Sequence, residues 1–77
     1  MKIVDYILLE GFLQGVNSYR RGEKLQEYSD NTRMQIRYEI GRQFAVFYKG
    51  PIKQGRQAHP ECVQALAWLC HNRHLRP

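Results

Sequence analysis

From Ile3 to about Arg21, the apolar positions Val4, Leu8, Phe12, Gly15, Val16 and Tyr19 recur at three- and four-residue spacing, with Ile7, Leu9 and Leu13 widening the stripe. That period predicts one amphipathic helix over residues 3–21, although the run from Lys2 to Leu8 is also short and apolar enough for a strand. Gly22 is a natural stop, because a residue just past a helix end often takes a left-handed conformation that glycine adopts without strain. Arg20 and Arg21 in the last turn complement the carbonyl end of the helix dipole. A polar connector, Glu23 to Ser29, leads to three candidate N-caps, Ser29, Asp30 and Asn31. Met34, Tyr38, Gly41, Ala45 and Tyr48 then follow a four-three-four-three series, with Ile36, Ile40, Phe44 and Phe47 on the flanks. They predict a second helix over 32–48, ended by Gly50 and Pro51.

Residues 50–59 carry no apolar period and hold Lys53, Gly55 and Arg56, so they read as an exposed basic loop. Pro60 opens a third helix over about 60–74, since proline is favoured in a first turn where its missing amide costs nothing. Its expected inner face is Val63, Leu66, Ala67 and Cys70, with Cys62 and Leu69 beside it. The predicted architecture is all-α: a single domain over residues 1–77, built from an antiparallel helix pair and a C-terminal helix. Gly11, Gly15 and Gly41 fall inside the predicted helices, where each costs about 1 kcal/mol relative to alanine. The expected reason is close approach of the two helices, with a backbone surface open to a partner as the alternative.

With 77 residues the chain has room for one core and no second domain. Twelve Lys/Arg against seven Asp/Glu give a net charge of +5, which favours polyanionic partners. Residues 1–48 carry a net +1 and residues 49–77 a net +4. Neither a secretory signal pattern nor an apolar run of membrane-spanning length is present. The expectation is a cytoplasmic protein without membrane contact.

Chemistry-bearing residues are few. Cys62 and Cys70 are eight positions apart on one predicted helix, roughly 12 Å, beyond the reach of a disulfide; both are expected in the core. Cys70 and His74 sit a turn apart with no acid near them in sequence, and no catalytic residue is assigned. His59, Cys62, Cys70, His71 and His74 are all ligand types, but two cysteines two turns apart on one rod do not close around one ion. No metal and no cofactor is expected. Basic residues mixed with aromatics are the main functional signal. Arg20, Arg21 and Lys24 gather at the first helix junction, Arg33 and Arg37 lie one turn apart, Lys49, Lys53 and Arg56 line the loop, and Arg73 and Arg76 mark the tail. Guanidinium groups fork onto phosphates and stack on bases, so this distribution suits structured RNA, while its plain reading is a solvated surface. Trp68 falls near Gln64 and Asn72, off the expected inner face. Packing under a neighbouring helix is the favoured reading, with an exposed interface residue as the other.

The stretches Glu10-Gly11-Phe12-Leu13-Gln14-Gly15, Tyr19-Arg20-Arg21-Gly22, Tyr28, and Tyr38-Glu39-Ile40-Gly41-Arg42-Gln43-Phe44-Ala45 resemble the ribosome modulation factor family over about residues 8–48. The shared pattern is two glycines four apart in helix one, a glycine after it, a tyrosine in the connector and an aromatic closely followed by glycine in helix two. Members commonly carry Pro-Tyr in the connector and Trp at the helix-two aromatic, where this chain has Glu27-Tyr28 and Tyr38; it also adds the basic loop and third helix. The resemblance implies binding to the small ribosomal subunit near the messenger exit region, blocking initiation and promoting inactive ribosome dimers. Carried over by position are Gly11, Gly15, Tyr19, Arg20, Arg21, Gly22, Tyr28, Tyr38 and Gly41.

The leading expectation is therefore a non-enzymatic protein that binds ribosomal or other structured RNA to down-regulate translation. Its nucleic-acid contacts are expected at Arg20, Arg21, Lys24, Arg33, Arg37, Lys53 and Arg56. The alternative is a phage or mobile-element inhibitor or adaptor that blocks a host protein complex, for example an anti-CRISPR protein, through Tyr38, Tyr48 and Trp68. A homodimer is open under both.

Overall fold

The computed structural model describes residues 3–72 together with His74 and Leu75; the tail residues Arg73 and Arg76 lie outside the described residues. Four helices and one short hairpin follow in the order α1 (Ile3–Ile7), α2 (Phe12–Arg20), α3 (Thr32–Phe47), β1 (Lys53–Gln54), β2 (Gln57–Ala58) and α4 (Pro60–His71). The domain is thus mostly helical rather than all-α. No helix among the described residues is long and apolar enough to cross a membrane.

The single helix expected over 3–21 is two. Leu8 and Leu9 donate their amides to the carbonyls of Asp5 and Tyr6, a tightened turn that ends α1. Gly11 then takes φ +104°, and its N–H donates to the Gln14 side chain at 2.8 Å. This break rotates α1 relative to α2. Ile7 becomes the buried α1 residue, while Val4 and Leu8, aligned with Phe12 in an unbroken helix, are exposed. The far end of α2 is as expected: Gly22 has φ +77°, and the amides of Gly22 and Glu23 donate to the carbonyls of Tyr19 and Ser18, the paired bonds of a glycine-closed helix end.

Of the three candidate caps before α3, Asn31 serves: its side-chain oxygen accepts the amides of Arg33 and Met34 at 3.0 and 3.2 Å. The helix runs to Phe47, and Tyr48 is already extended. Helices α2 and α3 run in the same sense, not antiparallel. Gly11 approaches Met34 and Arg37, Gly15 approaches Tyr38 and Arg42, and Arg20 bonds the Tyr48 and Gly50 carbonyls, so contacts advance together along both chains. The stretch between Arg20 and Thr32 makes this possible by returning along the pair in extended form. Eleven extended residues span roughly 36 Å, whereas nine helical residues rise only about 13.5 Å. Gln35 holds the returning strand: its Oε1 accepts the amides of Tyr28 and Ser29, and its Nε2 donates to the Gln26 carbonyl.

The basic loop contains an antiparallel two-residue ladder, with Lys53 opposite Ala58 and Gln54 opposite Gln57. Gly55, at φ +65°, supplies the left-handed residue that a two-residue hairpin turn requires. Such short strands leave no apolar alternation to read in sequence; Ile52 and Ala58 alone send side chains into the core from this segment.

His59 caps α4 by accepting the Glu61 amide on Nδ1 at 3.1 Å, and Pro60 fills the first helical position. The helix ends at His71 rather than His74, and its inner face is turned from the expected one. Cys62, Leu66 and Leu69 are buried, whereas Ala67 and Cys70 are exposed. The core joins Ile7, Phe12, Val16, Phe44 and Ala45 to Ile52, Ala58, Cys62, Leu66 and Leu69. Helix α4 thus shares one core with the pair α2 and α3.

Candidate nucleic-acid interface

The basic side chains expected to meet RNA divide into three groups. Arg33 and Arg37 stand one turn apart on α3, where with Tyr6, Leu9 and Ile36 they border an open cleft of about 280 Å³. Arg37 donates from Nε to the Glu10 carbonyl at 2.7 Å, across to the break between α1 and α2. A guanidinium has five N–H donors, so this bond fixes the group while leaving its two terminal nitrogens for an incoming anion. A second cleft of about 240 Å³ shares Leu9 with the first and is bordered by Glu10 and Lys53. Leu9, at the α1–α2 break, therefore borders both the cleft of the two arginines and that of the hairpin lysine. The side chains of Arg33, Lys53 and Arg56 have no hydrogen bond or ion pair among the described residues, nor does that of Lys24 in the connector.

Arg20 and Arg21 are committed within the chain. Arg20 donates from one terminal nitrogen to the carbonyls of Tyr48 at 3.2 Å and Gly50 at 2.7 Å, tying the end of α2 to the end of α3. Arg21 forms a two-pronged pair with Glu23, at 2.8 and 3.3 Å. That hydrogen-bonded pair lowers the Glu23 carboxyl below its usual range and raises the guanidinium above its own.

One cation that the sequence reading left out of the site completes a further cluster. Arg42 donates to Ser18 Oγ at 2.9 Å and lies 5.7 Å from the Tyr19 ring centre, while Lys49 Nζ lies 5.6 Å from the same ring. Arg42 lies within the predicted second helix, but Lys49 falls beyond its end, so helical spacing gave no signal that the two meet on Tyr19.

Of the three aromatics expected to meet a protein partner, only Trp68 is available. Tyr38 is 3 % exposed; its hydroxyl shares a 3.2 Å hydrogen bond with Ser18 Oγ, and its ring stacks on Tyr28 at 5.0 Å. Tyr48 is half-buried against Phe44 and donates its hydroxyl proton to the Pro51 carbonyl at 2.7 Å. Trp68, favoured in sequence as core, is 59 % exposed.

Cys62 lies in the core, where burial raises its thiol to about 11, far above the range of a nucleophilic thiolate. Cys70, also expected in the core, is exposed, though partial desolvation still raises its thiol. Among the described residues no three His, Cys, Asp or Glu side chains converge as metal ligands would. Comparison with known protein families, with curated proteins and with solved structures finds no match to this chain.

Proposed function

We propose that this protein is a non-enzymatic binding module that engages structured RNA through Arg33, Arg37 and Lys53 around the α1–α2 break. The observation that carries the reading is Arg37. Its guanidinium is fixed by the Glu10 carbonyl with two nitrogens to spare, one turn from an unengaged Arg33. Prior fixing reduces the side-chain entropy lost when a phosphate arrives. In the form that the likeness to ribosome modulation factors suggests, the RNA is that of the small ribosomal subunit, the outcome is lowered translation and the setting is the cytoplasm.

The test is fluorescence anisotropy with a labelled fragment of small-subunit ribosomal RNA across a salt series. Each phosphate contact contributes about 0.9 to the slope of log affinity against log salt. Arg33→Glu with Arg37→Glu is expected to lower that slope by about 2 and abolish binding at moderate salt, with helicity unchanged by circular dichroism. Arg33→Glu alone, which removes no internal bond, should give about half of the slope change. Equal affinity in all three chains overturns the reading. Co-sedimentation with small subunits in sucrose gradients tests the ribosomal form of it.

A further inference from the structure

Tyr6, Leu9, Arg33, Ile36 and Arg37 border the cleft of about 280 Å³ at the α1–α2 break. The polar side chains among them are the two arginines and the tyrosine, and each can donate a hydrogen bond. Arg37 is held at the Glu10 carbonyl with both terminal nitrogens free, and Arg33, one turn away, makes no internal bond. Tyr6 Oη is buried and has no hydrogen-bond partner among the described residues. Burial raises this hydroxyl, so it keeps its proton, while Arg37 acts in the opposite direction and lies within its electrostatic reach. An unpartnered buried hydroxyl costs the folded chain stability, and on a residue that borders a cleft it calls for a partner that arrives on binding.

The charge around the cleft selects an anion. Along the chain, the nearest acids are Asp5 and Glu10 on the α1 side and Asp30 and Glu39 on the α3 side. None of them borders it and none pairs with either arginine; Glu10 borders the neighbouring cleft, and Glu39 accepts from the Gln35 side chain. The Cys70 thiol, which also acts on Tyr6, is raised by desolvation and stays neutral. A phosphate inside an RNA strand has two free oxygens and one charge, whereas a terminal phosphate has three and carries nearly two charges at neutral pH. Two guanidinium forks and a hydroxyl match the terminal group better. Leu9 and Ile36 add an apolar surface for one flat base, and a guanidinium plane is itself a stacking surface. The volume lies just under the roughly 300 Å³ at which small-molecule sites begin, room for one nucleotide and not for a duplex. A net charge of +5 favours a polyanion over a single phosphorylated side chain.

We infer that this cleft binds the phosphorylated end of an RNA strand, with the terminal phosphate on Arg33, Arg37 and Tyr6 Oη and the end base on Leu9 and Ile36. The inference rests on the RNA-binding reading above and narrows it from phosphates in general to a strand end. Tyr6 as a residue is only half-buried, so a modest shift of its ring brings the hydroxyl to an entering phosphate. Arg37 needs no such movement, because the Glu10 carbonyl already fixes it.

The test is isothermal titration calorimetry of the full chain at low salt with one unlabelled single-stranded RNA hexamer in three forms: 5′-phosphate, 3′-phosphate, and hydroxyl at both ends. A phosphoserine peptide is the fourth titrant. One phosphorylated RNA is expected to bind at least roughly ten-fold more tightly than the hydroxyl form, and which one it is gives the polarity of the strand. Arg33→Gln and Tyr6→Phe should each cut that preference several-fold. Tyr6→Phe should also melt no lower than the parent chain, because the hydroxyl it removes has no partner in the free protein. A preference untouched by Tyr6→Phe, with a lowered melting temperature, returns the hydroxyl to the fold and overturns the site as described. Equal binding of the three RNA forms, lost in Arg33→Glu with Arg37→Glu, overturns end recognition and leaves the arginine face as an RNA contact. Tighter binding of the peptide than of any RNA, or no binding of RNA at all, overturns both the end site and the RNA reading.

Discussion

Gly15 and Gly41 meet across the crossing of α2 and α3, each occupying the space against the other helix's backbone that a side chain would fill. A Cβ on Gly15 would overlap the Tyr38 carbonyl, and one on Gly41 would overlap the Phe12 carbonyl. Backbone cannot swing aside as a long side chain can, so either alanine must push the helices apart and open the Phe12–Phe44 contact beneath them. Gly15→Ala and Gly41→Ala are each expected to cost about 3 kcal/mol in urea unfolding, at the high end for overpacking. Gly22→Ala meets nothing within 4 Å and suffers only its left-handed φ, at about 1 kcal/mol. Equal losses at all three positions would contradict the close crossing.

Cys62 and Cys70 differ in access by two turns of one helix. Cys62 is fully buried and Cys70 exposed, so native protein treated with a thiol reagent at pH 8 should release one equivalent quickly and the second only on addition of denaturant. The Cys70→Ser variant should show only the slow phase. Two fast equivalents would mean that α4 is not seated on the core as described.

The same buried thiol sets a pH dependence. Cys62 ionises near 9 in the unfolded chain and near 11 in the folded one, so its contribution to stability is complete below pH 9 and is lost as pH rises toward 11. A shift of that size corresponds to roughly 3 kcal/mol. Burial also raises the Tyr6 and Tyr48 hydroxyls, which act in the same direction in the more alkaline part of the range. Urea midpoints should therefore hold up to about pH 9 and fall from there to pH 10.5. In Cys62→Ala, less stable overall, the decline should be shallower, and an identical slope would show that Cys62 does not carry it.

Local signals in the sequence fared better than relational ones. The Asn31 cap, the end of α2 at Gly22, the start of α4 at Pro60 and the close approach at Gly15 and Gly41 each depend on a few adjacent residues or on one backbone conformation, and all are legible there. The relative sense of α2 and α3 is not, because it rests on Gln35 catching a connector that could equally have turned back at once. The break at Gly11 hid inside an apolar stripe so rich that both Ile7 and Leu8 fitted it. Trp68 shows the converse: helical spacing placed it off the inner face of α4, and the general habit of tryptophan to pack inside pointed the wrong way. In the candidate site, which residues are basic could be read directly. Which are already engaged could not, since the Arg37–Glu10 and Arg20–Gly50 bonds join positions 27 and 30 residues apart.

Glu23 offers a test of that engagement. It pairs with Arg21 at the chain surface, where both partners are well exposed and the pair adds little to folding. Its other effect is on charge. As long as the carboxylate sits on the guanidinium, an approaching phosphate must displace it, so Arg21 is masked as an RNA contact. Glu23→Gln removes the negative charge and leaves Arg21 in place. If RNA passes the end of α2, this variant should bind it several-fold more tightly, with a salt slope up to about 0.9 steeper and an unchanged melting temperature. Arg21→Gln should then bind like the parent chain, since the arginine it removes was already neutralised. Parent-like affinity in Glu23→Gln would confine the RNA to Arg33, Arg37 and Lys53, whereas a weakened Arg21→Gln would mean that the pair opens on binding.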